Sequence, residues 1–240
     1  MERRNRNIVS LLFKNYLFLL FFNFYNCTTI GFHNPSELKK YTFTEEISYK
    51  LCIIKEENIT EDTVKNLVSN LHSELSLYNL SLETQIIGSM KRPGFSTSTI
   101  YDSIIKISLP ENCDRIMVFF KRNFLDFISH IVLPEILGLV ESSTRTRGYI
   151  FADYLSINIL TGATPSRTLI HENYHFLGCD HHWKMNDCYK SIFNLREAYI
   201  ENSNNPFFPT ISHKNKILDS REKVNYIIKR INDDRVSNSN

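Results

Sequence analysis

The eleven residues from His171 to His181, HENYHFLGCDH, constrain this chain more than any other stretch of it. They set histidine, glutamate, histidine, glycine and histidine in the spacing HExxHxxGxxH. Residues four apart on an α-helix lie on one face, one turn apart, so His171 and His175 can present their imidazoles to one ion at about 2.0–2.1 Å. Glu172 is one residue along, which puts its carboxylate beside such an ion, where a general base takes a proton from water. Gly178 adopts positive φ at little steric cost, letting the chain reverse sharply enough for His181 to supply a third ligand. Three protein ligands leave one tetrahedral position open, the arrangement of a catalytic zinc and not a structural one. Five fixed positions coincide by chance on the order of once in ten thousand chains of this size. Four of the eight histidines fall within residues 171–182, and the spacing leaves His182 outside the ligand set.

The text around this motif sorts into alternating strands and helices. Ile47 to Ile54 reads as a strand, and Thr60 caps a helix whose Val64, Leu67, Val68, Leu71, Leu75 and Tyr78 recur at helical spacing. Leu82 to Met90 is a second strand, Ser98 to Ile107 a helix, and Arg115 to Phe120 (RIMVFF) a continuous apolar strand. Ile136 to Val140 and Gly148 to Asp153 are further strands, separated by a Ser/Thr/Arg turn at 142–147. Thr164 and Pro165 open the histidine helix and Gly178 ends it. Asp219 and Glu222 form a capping-box pattern ahead of Val224, Ile227, Ile228 and Ile231, an amphipathic C-terminal helix. Strands alternating with helices predict an α/β fold with a largely parallel sheet.

The first residues differ from the body. Arg3, Arg4 and Arg6 precede an apolar run to Tyr25, interrupted by Lys14 and Asn15, which predicts a signal peptide over 1–29 and a secreted product; a signal anchor in the secretory pathway is the alternative. Residues 30–45 read as a linker, and 46–240 as one catalytic domain, with no later segment able to span a bilayer. Cys27 lies at the signal boundary, leaving Cys52, Cys113, Cys179 and Cys188 for at most two bridges whose pairing the spacing does not give. Cys52 and Cys113 read as core or structural residues. Asn58-Ile59-Thr60 and Asn79-Leu80-Ser81 match the glycosylation acceptor pattern. A net charge of +2, with lysines and arginines scattered among acids, excludes a nucleic-acid footprint.

The extended motif resembles that of the metzincin metalloproteases, and its surroundings are similar to the reprolysin branch, which includes the ADAM and snake-venom enzymes. Arg145-x-x-Gly148-Tyr149-Ile150-Phe151-Ala152-Asp153-Tyr154 resembles the segment ahead of the zinc helix in that branch. Ile136, Leu137, Gly138 and Leu139 resemble its substrate-binding edge strand. The resemblance implies a five-stranded mixed, mostly parallel sheet with helices, the zinc helix lying along an active-site cleft. It also implies a monomeric zinc metalloendopeptidase acting on protein or peptide substrates. Two features depart from the branch. Its bridge between the loop near 142 and Phe208 to Ser212 lacks both halves, since Ser142, Ser143 and Ile211 stand there. The methionine that floors the zinc site has no obvious counterpart. Ile200 takes that place in this reading and Met185 does not, because the chain after His181 needs length to loop out and return beneath the ligands. These departures motivate an alternative: a secreted, catalytically weak or inactive binding protein on the same fold.

Overall fold

The computed structural model describes residues 33–123, 126, 136–153, 164–181, 185–202 and 204–237. The expected signal peptide, with Cys27, lies outside them, as do Tyr154, His182 and Trp183. Helix α1 (Pro35–Leu38) opens the described chain and is capped by the Asn34 side chain, so the segment expected as a linker carries structure. Leu38, Tyr41 and Phe43 pack against the core, and His33 Nε2 pairs with Glu74 Oε1 at 2.8 Å. The few apolar residues of this strap reach a core that the sequence does not display.

Strand β1 (Ile47–Glu56) leads into helix α2 (Glu61–Leu75), capped by Thr60 Oγ1 accepting from Thr63 N, and then strand β2 (Leu80–Met90). Helix α3 (Thr97–Ile104) and strand β3 (Arg115–Lys121) follow, then β4 (Gly138–Val140) and β5 (Arg147–Asp153). The five strands form one sheet in the order β2-β1-β3-β5-β4, parallel throughout except for β4, which runs antiparallel to β5 at the edge. This is the α/β fold with a mixed, mostly parallel sheet that the alternation of strands and helices leads one to expect. The remaining elements are helices α4 (Pro165–Phe176) and α5 (Asn186–Glu201), the two-stranded β6 (Thr210–Ile211) and β7 (Ile217–Leu218), and helix α6 (Arg221–Ser237).

Period-two alternation explains the continuous apolar run of β3. Met117 and Phe119 join Leu71, Leu169, Tyr174 and Ile192 on one face of the sheet, where α2, α4 and α5 lie. Ile116, Val118 and Phe120 join Ile100, Ile104 and Val224 on the other, under α3 and α6. The Cys52–Cys113 bridge ties β1 to the entry of β3 within the second core. Helix α6 begins one residue later than its acidic pattern indicates: Ser220 is its cap, accepting from Lys223 N, while Asp219 pairs with Lys223 Nζ at 2.6 Å.

Arg115 joins three of these parts. Its guanidinium, fully buried, donates to Phe208 O at 3.1 Å, Pro209 O at 2.7 Å and Phe176 O at 3.4 Å, and so fixes the end of α4 and the segment after α5 to the start of β3. Where the resembling branch has its bridge, Thr210 Oγ1 donates to Thr144 O at 2.7 Å, so a hydrogen bond joins the two loops. Arg115→Met keeps the aliphatic volume but orphans these carbonyls inside the core. We expect a cost of about 3 to 5 kcal/mol and a melting temperature lower by about 10 °C. A fall of less than about 2 °C in a thermal melt would show that Arg115 is not the joint described here.

Candidate metal centre

Helix α4 begins where Thr164 Oγ1 accepts from Arg167 N at 3.2 Å and Pro165 occupies the first turn. It ends in a Schellman arrangement: Cys179 N donates to Tyr174 O at 2.9 Å and Gly178 N to His175 O at 3.0 Å. Gly178 has φ +85°, and an added Cβ there would collide with Ser191 Oγ, so the position excludes side chains on two counts. The reversal brings His181 back over the helix. One ring nitrogen from each of His171, His175 and His181 then lies within 4.8 Å of the others.

Two details fit this cluster to a divalent metal. His175 Nδ1 stands 2.6 Å from Cys179 O, a carbonyl that can only accept, so the ring proton sits on Nδ1 and the Nε2 lone pair faces inward. His175 Nε2 and His171 Nε2 are 3.1 Å apart. Two nitrogens bound at 2.0–2.1 Å around a tetrahedral ion stand about 3.3 Å apart, so this pair already has close to the required spacing. Burial, with His175 and His181 beside it, pulls His171 down to about 3. Burial likewise pulls His175 down to about 4, against the upward effect of the Cys179 carbonyl. Neutral imidazoles at physiological pH are the form that donates to zinc.

Glu172 is buried and packs on the sheet edge. An added Cβ on Gly138 would lie 2.8 Å from both Cγ and Oε1 of Glu172, so the carboxyl occupies the space that any other residue at 138 would fill. Burial pushes the Glu172 carboxyl up to about 8. Beside Gly138, Leu137 and Leu139 pack on the second core and Ile136 is exposed. Of the residues expected to form the edge strand, Gly138 is in direct contact with Glu172, and the strand itself runs over Gly138–Val140.

The His181 arm has supports the sequence reading did not assign. Cys179 and Cys188 form a bridge that closes the loop containing His181 onto α5. Their short separation around the third histidine was the available signal. Arg145 Nη2 donates to Asp180 Oδ1 at 2.7 Å, holding the residue just before His181 to the loop after β4. After His181, residues 186–201 form helix α5, with Met185 at its N-cap. Ile200 sits on the last turn, partly buried against the core, about 22 Å along the axis from Met185.

No protein-family model matches the chain, and no curated protein matches it. Among solved structures, archaemetzincin from Methanopyrus kandleri is similar over 61% of this chain and 86% of its own, at 14% identity and a TM-score of 0.39. At that score the likeness carries no argument, and the functional reading rests on the site's own residues.

The Glu172 shift has a signed consequence for stability. A carboxyl with a raised folded pKa contributes stability that is full below its unfolded value of 4.5 and is lost as pH rises through about 8. The depressed imidazoles act oppositely, losing stability as pH falls from 6.5 towards about 3 and 4. Substituting Glu172→Gln removes only the first effect. In chelator-treated protein, the melting temperature of wild type relative to Glu172→Gln should therefore fall steadily between pH 5 and about 8. A difference that stays flat over that range would mean Glu172 is solvated in the metal-free protein.

Proposed function

We propose that the chain is a secreted zinc-dependent metalloendopeptidase that acts as a monomer on protein or peptide substrates. The observation that carries this reading is the convergence of three imidazoles with a buried carboxyl one residue along, in contact with the open edge of the sheet. Zinc held there would polarise a scissile carbonyl and acidify a coordinated water.

The protein's own residues supply the rest. His171, His175 and His181 would give three nitrogen donors to the metal and leave a fourth position for water and substrate. Glu172 takes the proton from the attacking water and hands it to the leaving amine. The edge strand orients the substrate. Phe151 N donates to Leu137 O at 2.9 Å and Glu141 N to Arg147 O at 2.9 Å, so residues 137 and 141 turn their backbone groups towards β5. Antiparallel pairing alternates, which turns the amides and carbonyls of Gly138 and Val140 outward. An extended substrate would add there as a further strand, its backbone bonded at Gly138 beside Glu172. Arg145, the Cys179–Cys188 bridge and Gly178 hold His181 in place while substrate enters.

Purified mature protein should cleave members of a broad peptide library, and a chelator should stop it. Glu172→Gln should lower turnover by roughly a hundred- to ten-thousand-fold while one zinc remains bound. Undiminished cleavage by that variant, free of contaminating protease, would sink the mechanism. Gly138→Ala presses on the Glu172 carboxyl without touching a ligand, so kcat should fall at least about tenfold with zinc affinity unchanged. If Gly138→Ala instead loses zinc in step with activity, the edge strand supports the ligands and not the base.

A further inference from the structure

Among the described residues the acceptor tripeptide Asn-x-Ser/Thr occurs twice, at Asn58-Ile59-Thr60 and Asn79-Leu80-Ser81. In sequence the two are equivalent; in the fold they are opposites. Asn79 closes the single 3-10 turn Ser76–Tyr78 in the left-handed conformation, with φ 54°. Its Nδ2 donates to Phe43 O at 3.0 Å and Thr44 O at 3.4 Å, which commits both amide hydrogens to the strap before β1. Its own carbonyl accepts from Ile47 N at 3.1 Å and from Arg196 Nη1 at 2.9 Å. A sugar on Nδ2 would replace one of those hydrogens and wedge between the turn and residues 43–44.

Asn58 stands exposed in the turn between β1 and α2, and its side-chain amide makes no hydrogen bond with the described residues. The turn does not need that amide, because its neighbour anchors it. Ile59 is buried in the core, and Ile59 N donates to Glu56 O at 2.9 Å. Thr60 is exposed and caps α2. Beside Asn58 lies an open cavity of about 480 Å³, lined in part by Glu56, Arg92, Phe95 and Lys121. Phe95 is 62% exposed and offers the first sugar of a glycan an apolar surface to lie against.

We infer that Asn58, and not Asn79, carries an N-linked oligosaccharide, an inference that rests on the reading that the chain enters the secretory compartment. The donor is a polyprenyl-pyrophosphate oligosaccharide. The Asn58 Nδ2–C1 bond to the first sugar forms as the C1–O bond to pyrophosphate breaks. The amide gives up one proton, which is taken up overall by the pyrophosphate oxygen released from C1, and the polyprenyl pyrophosphate leaves. The modified nitrogen keeps one hydrogen and faces the open cavity.

The test is to produce the full chain in eukaryotic secretory cells and release its glycans with a peptide N-glycosidase in ¹⁸O water, which turns each glycosylated asparagine into labelled aspartate. Labelled aspartate should appear at 58 and unmodified asparagine at 79. Asn58→Gln should remove one glycosidase-sensitive mobility step. Ser81→Ala, which destroys the second tripeptide but keeps every Asn79 hydrogen bond, should remove none. Label at 79, or an unlabelled Asn58 on chain that has passed through the secretory compartment, overturns the inference. Chain found only in the cytosol with its first residues attached sinks the secretory reading instead; the same chain behind a leader of proven function then decides between the two asparagines by the same labelling.

Discussion

The hydrogen bond from His175 Nδ1 to the Cys179 carbonyl, 2.6 Å between nitrogen and oxygen, links every part of the metal centre. It fixes the tautomer of the middle ligand, so that Nε2 can only accept or coordinate. It also requires the carbonyl of Cys179 to point back at the helix, which happens only if the chain reverses within one residue of the last turn. Gly178 makes that reversal in the left-handed region, and Cys179 then turns outward to its bridge with Cys188. His181 follows two residues later. The third ligand is therefore placed by the same short turn that orients the second, and loss of the turn would disorganise both.

Close approach of α4 to the sheet edge is the second constraint. Glu172 occupies the space above Gly138, and its neighbours Leu169, Tyr174 and Phe176 fill the core beneath β5 and β3. Arg115 pins the end of the helix from below through the Phe176 carbonyl. The base thus has a buried seat against the strand proposed to hold the substrate, and the ligands have a rigid support on either side. Burial acts on both: it pulls His171 and His175 towards the neutral form that coordinates a metal, and it pushes the Glu172 carboxyl up towards its protonated form in the metal-free chain.

What the sequence made legible follows the range of each interaction. The spacing of His171, Glu172 and His175 is local to one helix, and the caps at Thr60 and Thr164 act within three residues, so periodicity and capping rules reach them. The apolar run of β3 was readable because a strand covered on both faces has no polar side to show. Interactions that depend on tertiary neighbours were not readable. The partners of Cys179 and Cys52 are set by how α5 and β3 pack, and the seat of Glu172 depends on an edge strand more than thirty residues upstream. Helix α5 escaped notice because Met185 gives it no side-chain cap and Asn186, Asp187 and Cys188 are weak helix formers. Its stability comes from packing Cys188, Tyr189, Ile192 and Leu195 into the core, a contribution invisible to local propensity. The contacts of residues 33–45 were not readable for the same reason, since their hold on Glu74 and Tyr189 spans distant parts of the chain.

Anomalous diffraction at the zinc absorption edge, from crystals of protein purified without added metal and then given one equivalent of zinc, tests the central claim most directly. The account predicts a single strong peak about 2.0–2.1 Å from a ring nitrogen of each of His171, His175 and His181, with a non-protein oxygen as fourth neighbour. A peak elsewhere on the molecule, a fourth protein ligand closing the site, or no peak at full zinc loading would contradict it.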